Sequence, residues 1–184
     1  MSNLHVCYGV HVQGYGDLPL KQDGEIAGTT GQSRRLEAIY IKIDRLKETF
    51  PGSSIEYKIF ATGVGWMESS DGQWIGTKGQ SRRTEAIGIK LVGEITHYYD
   101  IYYKVHIENI GWTDWVKNNQ IAGIPNSHLR LEAIQIKLMA KPTEKIKPEP
   151  SSSSSSSSSP KTINIIYNIN FNFNSGTTSN YKVI

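Results

Sequence analysis

Aromatic side chains close to short polar side chains form the most informative chemical pattern in this sequence of 184 residues. Trp66 and Trp112 each follow a glycine, and Trp115 lies three positions after Trp112. An indole ring beside a turn can stack on the apolar face of a sugar ring, while carboxylates and amides bond the sugar hydroxyls. The candidate ligand-binding residues are therefore Trp66, Trp112, Trp115, Tyr15, Asp23, Asp71, Asn118, Gln32 and Gln80.

Side chains that could catalyse a reaction show no comparable pattern. Cys7 lies in an alternating apolar stretch, which favours packing over nucleophilic attack. The histidines lack metal-ligand spacing; they are His5, His11, His97, His106 and His128. Because the carboxylates recur in repeated segments, they do not form a unique acid–base pair. We therefore expect no enzyme activity, no metal site and no cofactor.

These residues belong to a unit that the chain contains three times. Residues 28–39, GTTGQSRRLEAI, return as residues 76–87, GTKGQSRRTEAI, and a weaker copy covers residues 123–134. The glutamates of the three copies are 48 and 47 residues apart. A nearly constant period of this size indicates a supersecondary unit that cannot bury its apolar face alone.

Each copy predicts about four β-strands. The first strand alternates apolar and polar residues over 6–12, 55–61 and 101–107. Asp-Gly or Asn-Asn then marks a hairpin turn, because these residues tolerate a positive φ. The fourth strand is the longest, and in the first copy Ile39, Ile41 and Ile43 share one face of it.

The prediction is an all-β domain over residues 4–140, with repeats at 4–46, 55–93 and 99–140 and about twelve strands around a pseudo-threefold axis. If the long first and fourth strands pair as a barrel and the short hairpin caps it, the fold is β-trefoil-like, which we favour slightly. A β-prism of three four-stranded sheets is the alternative.

An arginine and a glutamate two positions later are the charged residues retained in every copy: Arg35 and Glu37, Arg83 and Glu85, Arg130 and Glu132. A carboxylate in an apolar strand needs partners, because burying it unpaired costs several kcal/mol. We therefore expect structural roles, with each glutamate bound to backbone amides of the preceding glycine loop or to its arginine. Direct bonds to a ligand are the alternative.

Structural alternatives exist for the ligand-binding candidates as well. A tryptophan that recurs in the repeats can fill the core around the axis, and we favour that interpretation for Trp66 and Trp112. Trp74 and Trp115 occur in one copy each, which allows simple surface packing. Asp23, Asp71 and Asn118 fit ordinary turn chemistry, although turns and glycine loops are also where binding residues concentrate.

The combined pattern resembles the clostridial hydrophobic-W repeat family. The resemblance covers residues 4–139 and includes a Val-His-Val strand, Gly-Trp, Gly-Thr-Thr-Gly-Gln-Ser and Arg-Leu-Glu-Ala-Ile. It implies a surface or secreted module that binds polysaccharide or protein partners. Two copies depart from the pattern: Asp17 stands at the first tryptophan position, and Ile124-Pro125-Asn126-Ser127 replaces the third glycine loop.

The composition changes beyond the repeats. Residues 141–161 contain prolines and nine consecutive serines, which predict a disordered linker. In residues 162–184, apolar residues alternate with asparagine, which predicts a strand-forming tail. Self-association through residues 162–174, by donation of this strand, is one interpretation. A low-complexity tail with a tendency to aggregate is the other, and we favour it.

Charge and targeting signals limit the partners that we expect. Residues 1–140 contain 15 basic and 15 acidic residues, so the domain lacks the positive excess that dominates nucleic-acid affinity. No stretch is apolar enough for a membrane helix, and the N-terminus lacks a signal-peptide pattern. We expect a cytoplasmic location, or leaderless export to the cell surface. The predicted function is a lectin-like, carbohydrate-binding module; the alternative is a structural or adhesion protein that assembles through protein contacts and its C-terminal strand.

Overall fold

Each repeat begins and ends with a long strand and contains shorter strands between them. The computed structural model describes residues 4–142. The first repeat contains β1 (Val6–Val12), β2 (Gly16–Asp17), β3 (Lys21–Gln22), β4 (Ala27–Gly28) and β5 (Leu36–Ile43). After a short helix α1 (Leu46–Thr49), the second contains β6 (Ser54–Ala61), β7 (Gly65–Ser70), β8 (Ile75–Gly76) and β9 (Thr84–Val92). After a 3-10 turn (Glu94–His97), the third contains β10 (Tyr99–Ile107), β11 (Gly111–Trp112), β12 (Val116–Lys117), β13 (Ala122–Gly123) and β14 (Leu131–Ala140).

The long first and last strands of each repeat pair antiparallel: β1 with β5, β6 with β9 and β10 with β14. Both β2 and β3 pair with β1, so they form one interrupted second strand. The same holds for β11 and β12 against β10. The prediction of an all-β domain with four strands per repeat is therefore confirmed.

The third strand of each repeat pairs with the last strand of a different repeat. β4 pairs with β14, β8 with β5 and β13 with β9. This cyclic exchange closes the three repeats into a ring with pseudo-threefold symmetry. The first and fourth strands of each repeat pair, as the trefoil prediction required. The strands nevertheless form three separate sheets, as the prism alternative required.

A glycine and an alanine allow each exchanged strand to approach its neighbour closely. Gly76 of β8 lies opposite Ala38 of β5, and the equivalent pairs are Gly123 with Ala86 and Gly28 with Ala133. A Cβ atom on Gly76 would overlap the Glu37 carbonyl oxygen and lie 2.6 Å from the Ala38 Cβ. The glycine of one repeat and the Glu-Ala pair of another therefore form one of the contacts between repeats.

The core lies between the three sheets and is built from equivalent residues of each repeat. Ile39, Ile87 and Ile134 are buried there and surround an apolar space of about 10 Å³, together with Leu36, Thr84 and Leu131. Burial of one such isoleucine stabilises the fold by about 1.5–3 kcal/mol. Because all three repeats line this space, it marks the position of the pseudo-threefold axis.

In each repeat, one buried tyrosine of the core donates a hydrogen bond to a backbone carbonyl in a turn. Tyr57 donates a hydrogen bond of 2.5 Å to the carbonyl of Gln73, and Tyr8 and Tyr103 donate equivalent bonds to Glu25 and Gln120. The hydroxyl of Tyr103 also accepts a bond of 2.9 Å from the amide of Ile89, in the neighbouring repeat. This role was not predicted from the sequence, although tyrosine recurs at the same position of the first strand in all copies.

The predicted linker at 141–161 and tail at 162–184 lie outside the described residues, apart from Lys141 and Pro142. The described residues belong to the compact unit Met1–Glu144. No helix within residues 4–142 has the length and apolar character to cross a membrane.

Candidate functional site on the outer faces of the sheets

The second repeat places Trp66 on the outer face of its sheet. Gly65, with a φ of 92°, turns the chain into β7, and Trp66 then pairs with Phe60 of β6. The two rings meet edge to face, with centroids 5.5 Å apart. The side chains of β6 that point inward are its alternate residues, and Phe60 is not among them. Trp66 is therefore 41% exposed, and the interpretation that it fills the core is wrong.

The equivalent positions in the other repeats also lie on outer faces. Trp112 is half-buried and packs edge to face on His106, with centroids 5.5 Å apart, so it does not fill the core either. In the first repeat Asp17 takes this place and accepts hydrogen bonds of 2.6 Å from His11 and 2.8 Å from Lys78. Slight burial raises the pKa of Asp17, but the bonds from Lys78 and His11 outweigh it and lower the pKa overall.

The two remaining tryptophans are exposed on outer faces too. Trp74 is 38% exposed and lies near Gly9 of β1, where an added Cβ atom would be 3.6 Å from its ring, an ordinary contact distance. Its ring centroid is 5.7 Å from that of Tyr40 and 3.4 Å from the Lys78 ammonium. Trp115 is 36% exposed on the third sheet. The sequence does contain a signal for Trp74, because Ile26 and Ile121 occupy the same place in the other copies and are also exposed.

A lysine lies beside each tryptophan, a feature that was not predicted from the sequence. The Lys58 ammonium lies 5.0 Å from the ring centroid of Trp66, and the Lys104 ammonium lies 4.9 Å from that of Trp112. Such contacts contribute about 0.5–1 kcal/mol at exposed sites. A ligand that stacks on these rings therefore meets an ammonium group beside each one.

The second outer face also contains a polar groove of about 330 Å³. Its walls come from β6, β7 and β9, and its charged side chains are balanced in sign. The Lys90 ammonium lies 2.8 Å from the Glu56 carboxylate. The lining residues are Glu56, Tyr57, Lys58, Glu68, Ser69, Ser70, Gly88, Lys90 and Asn119. Because Lys58 contacts both the groove and Trp66, the ring and the polar groups form one surface.

Glu37 has the structural role expected for the retained glutamates. It is buried and accepts hydrogen bonds of 2.9 Å from Arg35 and 2.7 Å from the amide of Gly79. The pairing with Arg35 agrees with the prediction. The amide, however, belongs to the glycine loop of the second repeat and not to the preceding loop, because strand exchange brings that loop over Glu37.

The other two glutamates have different partners. Glu132 accepts a hydrogen bond of 3.0 Å from Arg130 and lies 3.2 Å from the Nδ1 atom of His106. Glu85 accepts a bond of 2.5 Å from the hydroxyl of Thr62, while its Oε2 atom is buried with no hydrogen-bond partner among the described residues. Arg83 donates to the carbonyl of His128, so the predicted pair with Glu85 is wrong.

Asp23, Asp71 and Asn118 stabilise the turns, as turn chemistry predicts. Each has a positive φ, and its Oδ1 atom accepts a hydrogen bond from the amide at or near the start of its repeat's first strand. The donors are the amides of Val6 at 3.0 Å, Ile55 at 3.0 Å and Ile101 at 3.1 Å. These three candidate ligand-binding residues already serve the fold.

Tyr15, Gln32 and Gln80 lie at the opposite end of the strands. Tyr15 is exposed and donates a hydrogen bond of 2.9 Å to Gln32, and the guanidinium of Arg34 lies 4.2 Å from its ring centroid. Gln80 is exposed in the second glycine loop. Val64 and Ile110 occupy the position of Tyr15 in the other repeats and are exposed as well. Each repeat thus has an exposed apolar tip.

The structure distributes the candidate residues over separate faces and turns and does not gather them in one cleft. Trp112 and Trp115 come together on the third outer face, where Lys104 contacts both rings. Trp66 lies alone on the second face beside the polar groove. Within residues 4–142, no cluster of three or more His, Cys, Asp or Glu side chains is placed to hold a metal ion.

Comparison with known proteins identifies the repeats. The family model described as clostridial hydrophobic W matches residues 11–45, 61–93 and 106–139, which together are more than half of the chain. A search of curated proteins and a search of solved structures each returned no match. Each matched segment lies within one structural repeat and begins near the end of its first strand, and the chain therefore belongs to the clostridial hydrophobic W family.

Proposed function

We propose that this chain is a non-catalytic module that binds carbohydrate on the outer faces of its sheets. The observation that carries the proposal is that Trp66, Trp74 and Trp115 are more than one-third exposed and lie outside the core. Large aromatic rings on a rigid sheet give a binding partner a large contact area at a small cost in conformational entropy. A sugar ring has the apolar face that such a surface fits.

The second outer face is the best candidate for a site of this kind. Trp66 offers its ring for stacking, and the adjacent groove supplies hydroxyl, carboxylate and ammonium groups within one surface. Carboxylates accept and ammonium groups donate hydrogen bonds, so Glu68 and Lys58 can bond the same set of sugar hydroxyls. The balanced charge of the groove favours a neutral ligand there.

The experiment is a titration of intrinsic tryptophan fluorescence with soluble neutral oligosaccharides, repeated with Trp66→Ala and Trp74→Ala. We expect a saturable change that disappears in Trp66→Ala and persists in Trp74→Ala. The second variant is a matched control, because it removes a similarly exposed tryptophan that packs on Tyr40 of the first sheet. Urea unfolding of both variants establishes that each is folded. Absence of binding to any sugar at millimolar concentration would refute the proposal.

A second candidate function, assembly through protein contacts, is favoured by the exposed apolar tips. Tyr15, Val64 and Ile110 occur once per repeat and are all about half exposed. Sedimentation velocity of the full chain, of a variant with serine at all three positions, and of a chain lacking residues 160–184 tests it. Loss of an oligomer in the serine variant would support tip contacts. Its loss in the truncated chain would support the predicted strand at 162–174.

A further inference from the structure

Lysine and aromatic side chains alternate across the outer face of the third sheet. The Lys104 ammonium lies 4.9 Å from the ring centroid of Trp112 and 5.1 Å from that of Trp115. The Lys137 ammonium lies 4.1 Å from Trp115 and 5.9 Å from Tyr102. Strand register explains this order, because Lys104 pairs with Gln135 while Tyr102 pairs with Lys137. The two lysines are therefore diagonal neighbours, about 7–8 Å apart at their Cα atoms.

These two ammonium groups are not neutralised by the part of the chain that the structure describes. Within residues 4–142, no carboxylate lies within 4.0 Å of Lys104 or Lys137, although Asp114 is exposed next to Trp115. The third lysine of this face, Lys117, is already paired with Asp100 at 3.0 Å. Two like charges held close together repel each other, so an anion between them would be favoured.

Neither the first nor the second outer face holds two such unpaired lysines side by side among residues 4–142. On the second face, Lys90 pairs with Glu56 at 2.8 Å, and Lys58, which has no carboxylate of these residues within 4.0 Å, lies opposite Glu68 of β7. On the first face, Lys42 pairs with Asp44 and Lys78 pairs with Asp17, each at 2.8 Å. The equal numbers of acidic and basic residues over residues 1–140 conceal this difference.

We infer that the third outer face binds an acidic polysaccharide, with Lys104 and Lys137 pairing its carboxylate or sulfate groups and Trp112 and Trp115 stacking on its sugar rings. This inference rests on the proposed function, because it assigns one class of sugar polymer to one of the tryptophan faces. A nucleic acid is the less favourable polyanion. Within residues 4–142, two unpaired lysines face it here, whereas the phosphate backbone dominates nucleic-acid affinity through many contacts.

The test uses the full chain and two polymers with the same sugar backbone, polygalacturonate and its methyl ester, which removes the negative charge. Binding is measured by tryptophan fluorescence and by affinity electrophoresis, at low and high salt. We expect polygalacturonate to bind at least about tenfold more tightly than the ester, and high salt to reduce the difference. Equal affinity for the two polymers would overturn the inference.

Two double variants locate the site. Lys104→Gln with Lys137→Gln should remove the preference for polygalacturonate, whereas Lys21→Gln with Lys42→Gln, which removes the same charge from the first sheet, should retain it. Loss of the preference in both would show a general charge effect and overturn the assignment. Binding of oligo-dT as tight as polygalacturonate would assign the face to nucleic acid instead. Binding of neutral oligosaccharides alone would leave the proposed function intact and refute the acidic ligand.

Discussion

Equivalent buried glutamates have unequal surroundings at the scale of single residues. Glu37 accepts hydrogen bonds from Arg35 and from the amide of Gly79. Glu85 has Thr62 as its hydrogen-bond partner, and its second oxygen is buried without one among the described residues. The difference follows from the third repeat, in which residues 124–127 replace the glycine loop that would otherwise lie over Glu85. The retained glutamate therefore contributes differently to stability in each copy.

This inequality predicts different costs for the same substitution. Glu37→Gln should lower the free energy of unfolding by about 2 kcal/mol, because the new amide group must face a donor, either Arg35 or the Gly79 amide. Glu85→Gln should change it by less than about 1 kcal/mol, because glutamine keeps the bond from Thr62 and removes a poorly compensated charge. Urea unfolding of both variants measures the costs. Equal losses would show that Glu85 has a partner that the hydrogen bonds do not reveal.

At the scale of elements, the exchanged third strand depends on glycine for two separate reasons. Gly76 and Gly79 both have positive φ values, 139° and 71°. At Gly76 a Cβ atom would overlap the backbone of the neighbouring strand, at Glu37 and Ala38. At Gly79 it would meet no atom of residues 4–142 within 4 Å, apart from its own chain neighbours. A substitution at Gly79 therefore reports the cost of the backbone conformation alone. A substitution at Gly76 adds the cost of the close approach of β8 to β5.

The matched variants Gly76→Ala and Gly79→Ala test this distinction. Gly79→Ala should cost about 1–2 kcal/mol, the usual cost of a left-handed conformation for alanine. Gly76→Ala should cost more than about 3 kcal/mol, because it also forces β8 away from β5. Thermal and urea unfolding provide the measurement. A similar loss in both variants would mean that the strand pair adjusts to the added methyl group without losing its contacts.

The same elements show how far sequence reasoning reaches. The alternation of Ile39, Ile41 and Ile43 and the turn residues Asp23 and Asp71 are local signals, and they predicted strands and turns correctly. The partner of Glu37 is not a local signal, because it depends on which repeat supplies the third strand of each sheet. A sequence that repeats itself does not say whether a strand pairs within its own copy or with the next one.

The candidate site was less predictable than the fold. Recurrence suggested a core role for Trp66, yet recurrence alone does not distinguish an inward position from an outward one. Its pairing with Phe60, on the outer face, decides the question. The lysines beside the tryptophans were missed because Lys104 and Trp115 are eleven residues apart and meet only across neighbouring strands. The balanced net charge of residues 1–140 also gave no sign of these lysines, because it sums the charges of all three faces.

At the scale of the whole molecule, a buried thiol and two buried tyrosine hydroxyls predict a loss of stability at alkaline pH. Burial, with the neighbouring Asp44 as the next cause, raises the pKa of Cys7 from 9.0 to about 12, and burial raises the pKa of Tyr8 and Tyr103 from 10.0 to about 12. Between these values the unfolded chain has lost protons that the folded chain keeps, so the free energy of unfolding falls as the pH rises.

Urea unfolding at steps from about pH 8 to about pH 11 should show a constant stability below about pH 9 and a progressive decrease above it. Cys7→Ser should reduce the slope near the lower end of this range, because serine donates to Asp44 without ionising there. The tyrosines continue to contribute above that point. A stability that stays flat up to about pH 11 would contradict the burial of these three groups.

Because the three repeats form a closed ring, we expect the stability of the fold to depend more on the presence of all three repeats than on their order along the chain. Leu4 and Ala140 line the same surface cavity, so a short Gly/Ser linker can join residue 142 to residue 4. A permutant opened between Pro51 and Gly52, in an exposed turn, keeps every strand pair and should fold with nearly the stability of residues 4–142.

A fragment of residues 4–95 lacks β14, the partner of β4, and β13, the partner of β9, so it should remain unfolded. Far-UV circular dichroism and urea unfolding of the three chains distinguish the cases. Cooperative unfolding of the two-repeat fragment would show that two repeats are stable without a third repeat to close the ring. If the fragment is unfolded and the permutant is folded, the ring of three repeats is the unit of stability.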